Sequence, residues 1–142
     1  MQTNIGLGDE DARVAIEAIR LELVRRGKAA VIAVVDAHGE TIALLRMNGA
    51  ALSSTVVAAN KAFTAARLRR PTRATGLRAR HPETGFDISF YGDPRYVGWA
   101  GGVPVLVAGA VAGAIGVSAL SEDEDEELAS LGVAAIEAAA RG

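Results

Sequence analysis

The residues best suited to chemistry lie in two stretches, ANKAFTAA (59–66) and GFDISFYGDPRYVGWAGGVP (85–104). In the first, Asn60, Lys61 and Thr64 are the polar positions in an otherwise small or apolar segment, and helical spacing sets Lys61 and Thr64 on one flank. A lysine there either sits at the solvent edge with its stem along apolar surface or points into a cavity. In a cavity its pKa falls, and the amine becomes a base, a Schiff-base nucleophile or an anion anchor. The second stretch holds five of the six aromatic residues of the chain, Phe86, Phe90, Tyr91, Tyr96 and Trp99. Arg95 lies among them, where a guanidinium can stack on a ring face, and Gly101-Gly102 permit close backbone approach. Such a segment is either the wall of a planar-ligand site or a lid over an oligomer interface, where Tyr, Trp and Arg are also enriched. The candidate catalytic residues are Lys61 and Tyr91. The candidate ligand contacts are Arg46, Asn60, Thr64, Arg95, Tyr96, Trp99, Gly101, Gly102 and His81. Arg46 ends a strand before Asn48-Gly49 and either clamps a carboxylate or pairs with Asp36.

Iron or zinc chemistry finds little in the composition. There is no cysteine, so disulfides, thiolate sites and a cysteine nucleophile are excluded. Two histidines without carboxylates at ligand spacing make no metal motif. His38 falls in the turn Asp36-Ala37-His38-Gly39, where backbone preference explains it, whereas His81 beside Pro82 is freer to serve. Six arginines (Arg67, Arg69, Arg70, Arg73, Arg78, Arg80) run through a stretch with no acid, and residues 122–127 are all acidic. These runs suit each other, within one chain or between two copies. A formal net charge of −2 argues against nucleic acid and anionic membrane as partners.

The elements that position these residues follow from period and punctuation. Asp9–Arg26 has apolar residues at helical spacing, acids at its start, basic residues at its end and Gly27 as C-cap. Residues 29–35 and 40–47 read as a hairpin, and Ser53 or Ser54 caps a helix over 55–68 that stops before Pro71. From 71 to 102 no period survives. Residues 103–108 and 111–118 form a second hairpin across Gly109-Ala110, and Ser121 with Glu124 is a capping box for the last helix. The order α-β-β-α-loop-β-β-α predicts one α+β domain over 1–142, with an antiparallel sheet from two hairpins flanked by helices. No signal peptide or membrane-length apolar run is present, so a cytoplasmic location is expected; the Ala and Gly content resembles that of GC-rich bacterial proteins.

AVVDAHGETIALLRMNGA, NKAFTAARLRRPT, GGVPVLVAGAVAGAIGVS and the acidic helix start DEDEELA, in that order, resemble the GlcG/HbpS-type haem-binding family from about residue 10 to the C-terminus. The resemblance implies a profilin-like α/β sandwich and self-association. It also implies a small-molecule ligand, planar or aromatic and bearing carboxylates, such as haem, the one cofactor it brings. Some relatives are tied instead to cofactor-free lyase or isomerase steps on small aromatic acids; there Lys61 or Tyr91 moves protons and Arg46 or Arg95 holds a carboxylate. Two departures stand out: Ala119-Leu120 follow Ser118 where relatives often carry glycine, and the 85–102 segment is longer than in many of them.

Overall fold

The computed structural model describes residues 1–142. Its elements are α1 (Asp9–Arg26), β1 (Val31–Asp36), β2 (Thr41–Arg46), α2 (Ser54–Leu68), α3 (Thr72–Ala79), a 3-10 turn (Ile88–Tyr91), β3 (Gly102–Val107), β4 (Ala110–Ser118) and α4 (Glu122–Arg141). The four strands form one antiparallel sheet in the order β2-β1-β4-β3, so both expected hairpins form and join through β1 and β4. The expected α+β sandwich is therefore present.

Side-chain alternation divides the sheet into two unlike faces. Ile32 and Val34 on β1, with Ile115, Val117 and Val105, point to α1 and α4, where Ile19, Leu23, Leu128 and Ile136 complete a branched aliphatic core. Val31, Ala33, Val35 and Ala114 point to α2, which answers with Ala58, Ala62, Ala65 and Ala66. This second layer is thin because its side chains are small. A Cβ added at Gly116 would lie 2.1 Å from Ala58 O, so a glycine on β4 sets how near α2 can lie. β1 is buried on both faces, which is why it reads as a continuous apolar run.

Four local expectations need correction. Ser53 stands at the N-terminus of α2 but makes no side-chain cap hydrogen bond, and Ser54 lies inside the helix. The connection after α2 is not all irregular: α3 occupies residues 72–79. Its eight residues are too few to show a period, and Gly76 breaks the pattern for a packing reason, since a Cβ there would sit 1.9 Å from Gly98 O. The second hairpin turns on Ala108-Gly109, one residue earlier than expected, with φ of 51° and 81°. The capping box on α4 is half formed. Ser121 Oγ accepts from Glu124 N at 3.2 Å, but the Glu124 carboxylate accepts from Lys28 Nζ at 2.7 Å and Arg26 Nη1 at 3.0 Å. Ion pairs to Arg26 at the end of α1 and to Lys28 just beyond it thus outcompete the local cap and fasten the two helices of the aliphatic layer.

Candidate functional site

Lys61 turns inward. Its Nζ donates to Val117 O and to Asp125 Oδ2, both at 3.0 Å, and the two charged side chains are 3% and 2% exposed. Asp125 Oδ1 accepts from Leu120 N at 3.2 Å. Burial raises the Asp125 carboxyl above the usual Asp range, against the lowering pull of Lys61. Gly101 makes room for the ammonium: its φ is 128°, and a Cβ would lie 2.8 Å from Nζ. The pair joins α2, the end of β4 and the first turn of α4. Asp125 was hidden within an acidic run, yet it lies on the buried stripe Asp125, Leu128, Ala129, Gly132, Ile136, a helical spacing that marks it as inward-facing.

The aromatic segment lies directly on α2. Thr64 Oγ1 is 2.8 Å from Asn60 O and 3.2 Å from Arg95 O, and it accepts from Val97 N at 3.0 Å. Tyr96 meets Phe63 edge-on at 5.1 Å, and Tyr91 stacks on Tyr96 at 4.7 Å. The Arg95 guanidinium lies 4.0 Å from the Phe63 centroid and pairs with Asp93 at 2.9 Å. Arg70 Nη2 is 3.4 Å from the Tyr91 hydroxyl, and Gly102 N donates to Thr72 Oγ1 at 2.9 Å. Trp99 stays 55% exposed. Asn60, Lys61, Thr64, Arg95, Tyr96, Gly101 and Gly102 are thus brought together as packing, and neither of the two principal cavities reaches Lys61 or Tyr91.

The remaining candidates lie apart. Arg46 is exposed at the β2 end opposite Val31, while Asp36 is at the far end of β1 and accepts from His38 N and Glu40 N at 2.8 and 3.1 Å; the two do not pair. His81 Nδ1 accepts from Glu83 N and Thr84 N, each at 3.1 Å. Of the arginine run, Arg73 bonds Asp123 at 2.6 Å and Glu126 at 3.1 Å, so part of the basic–acidic match is made within the chain.

A cavity of about 870 Å³ opens at the other end of α2. Four separate segments meet there: the N-terminal residues 2–5, the β1–β2 turn, the C-terminus of α2 and the β3–β4 turn. Leu7 N donates to Ala112 O at 2.9 Å, which carries the N-terminal segment to the cavity mouth. Ile5, Ala66, Val107 and Val111 give it apolar wall; His38, Arg67 and Arg69 give it charge and nitrogen, and no acid lines it. The His38 backbone is engaged, donating to Asp36 and accepting from Arg67 Nε at 2.6 Å, but its imidazole makes no hydrogen bond. Arg69 and Ala108 on this wall are two of the three non-glycine residues with positive φ, at 58° and 51°. Sequence reasoning missed this site because turn preference explained His38 and the arginine run explained Arg67 and Arg69.

A family model described as "Haem degrading protein HbpS-like" matches residues 7–134. The chain is 34% identical over 118 residues to Protein GlcG of Escherichia coli K12, covering 83% of this chain and 85% of that protein. Among solved structures it resembles Klebsiella pneumoniae protein ORFY, with a TM-score of 0.92, 26% identity and coverage of 97% and 95%. A double mutant of Streptomyces reticuli HbpS superposes with a TM-score of 0.84 at 32% identity, covering 94% of this chain and 89% of that one.

Proposed function

The chain belongs to the HbpS-like family, and from that premise we propose that it binds haem, or a planar carboxylate ligand of similar size, in the cavity at the C-terminal end of α2. The carrying observation is the unbonded imidazole of His38 on the same wall as Arg67 and Arg69. The fit is one of size and chemistry. About 870 Å³ is within the range of roughly 300–1,000 Å³ typical of ligand sites, and the wall offers apolar surface for a ring, cations for carboxylates and one nitrogen for iron. Bound haem would supply a redox-active iron. Ile5, Val107 and Val111 would offer the ring apolar surface, Arg67 and Arg69 would face its carboxylates, and His38 would be the residue available to the metal.

The two histidines differ in a way that matters here. His81 Nδ1 accepts two backbone N–H groups, so its proton is on Nε2 and no lone pair faces outward. Ligation through Nε2 would require the other tautomer and would break both bonds. His38 has no such cost.

The lyase reading has less support. Its proton carrier Lys61 is bonded inside the fold, and Tyr91 is stacked against Tyr96. The test is ferric haem titration. A saturable Soret shift of one haem per chain, abolished by His38→Ala and kept by His81→Ala, is expected. A spectrum equal to that of haem on an unrelated protein, or one lost only with His81→Ala, overturns the assignment.

A further inference from the structure

We infer that Arg69 is the specificity residue of this cavity and that it selects ligands carrying a free carboxylate; the inference rests on the cavity reading above. Arg69 is the C-cap of α2 with φ 58° and ψ 37°, a left-handed position where helices ordinarily place Gly or Asn. A Cβ there is strained, so glycine would serve the fold better. No bond within the chain repays the strain: Arg69 is exposed, its guanidinium has no hydrogen-bond or ion-pair partner in the chain, and the residue lines the cavity. Arg67 beside it is already engaged. Its Nε donates to His38 O at 2.6 Å, its Nη2 lies 3.9 Å from Glu40, and its guanidinium is 4.8 Å from the Phe63 centroid. That leaves Arg69 as the uncommitted cation on a wall with no acid, and a carboxylate is the group its planar fork recognises bidentately. Strained backbone clusters at ligand clamps and active sites, and Arg69, with φ 58° on the cavity wall, fits that pattern.

Stability and affinity should therefore move in opposite directions. Ferric haem and its dimethyl ester are titrated into wild type and Arg69→Gly, with thermal unfolding followed on the ligand-free proteins. Arg69→Gly is expected to raise the unfolding midpoint by about 2–5 °C. It should weaken haem binding roughly tenfold to a hundredfold, the worth of a charge-assisted contact, and leave the diester unchanged. Arg69→Lys should keep part of the haem affinity. Equal losses for haem and diester, or no loss for either, overturn the selection role while His38→Ala still reports on the cavity. Wild type binding neither ligand overturns both readings.

Discussion

Lys61→Met removes the ammonium but keeps an unbranched apolar stem beneath α2. It leaves Asp125, 2% exposed, with one hydrogen bond from Leu120 N and no counter-charge. Breaking a buried pair from one side costs about 3–5 kcal/mol, because the remaining charge stays desolvated. For 142 residues, with an unfolding entropy of about 2.1 cal/mol/K per residue, the midpoint should fall by roughly 10–17 °C. Acidity gives a second readout. Burial already raises the Asp125 carboxyl, and removing Lys61 removes the main opposing influence, so the folded-state value rises further. A carboxyl raised on folding contributes stability that is fully present below its unfolded value and lost as pH rises through the folded one. The deficit of Lys61→Met against wild type should therefore shrink as pH falls from neutral toward about 4. Adding Asp125→Leu should recover most of the loss, with a coupling of about 2 kcal/mol or more. Thermal unfolding reads the midpoint, and urea unfolding followed by circular dichroism, at unchanged m, measures the free-energy terms. A loss under about 1 kcal/mol that is the same at both pH values, or a double variant no better than the single, would refute the view that this pair is a buried lock.

Two further outcomes follow from local geometry. Ala119 has φ 121°, a region natural to glycine, so Ala119→Gly should release more strain than it adds chain entropy and raise the thermal midpoint by about 2–4 °C; a fall would count against strain there. Hydrogen bonds from Arg25 and Arg26 hold the Glu22 carboxyl at about 2, and Lys28 and Arg26 lower that of Glu124. Carboxyls lowered on folding stabilise above their unfolded value of 4.5 and cease to as pH falls toward about 2. The urea midpoint should thus drop across that window, less steeply in Glu22→Gln, and parallel curves for the two proteins would refute the assignment.

What the sequence made legible were features whose cause is local. Asp9–Arg26 could be bounded to the residue because its period, its leading acids, Arg25-Arg26 and Gly27 all act within one helix. Both hairpins were readable from their apolar runs and turn residues, with ends displaced by one or two positions. Helix α3 was not, because Gly76 serves Gly98 across a gap of 22 residues in the chain rather than its own helix. The cavity was illegible for the same kind of reason, since His38, Arg69, Val107 and Ile5 meet only once β1 pairs with β4 and α2 is laid across them. The inward turn of Lys61 was one of two readings open from the sequence. What decides it is Asp125, whose place on the α4 stripe was present in the spacing but obscured by the acids around it.

The concentration of aromatics between Phe86 and Trp99 has a cause in the thin side of the sandwich. On that face α2 contributes only alanines, Ala58, Ala62, Ala65 and Ala66, against Val31, Ala33, Val35 and Ala114 of the sheet, and alanines bury little apolar area per residue. Its outer flank therefore needs a cover with mass, and Phe63 begins one. Tyr96 packs against Phe63, Tyr91 stacks on Tyr96 and Phe86 meets Tyr91 edge-on at 5.8 Å, with Arg95 on the Phe63 ring. Thr64 pins the same segment by two backbone contacts. The segment so placed closes the middle of α2 against ligand and leaves the helix C-terminus open, where Arg67 and Arg69 stand beside His38. The aromatics are spent on holding the helix whose C-terminal end walls the cavity, beside the His38 imidazole and two positions, Arg69 and Ala108, in left-handed backbone.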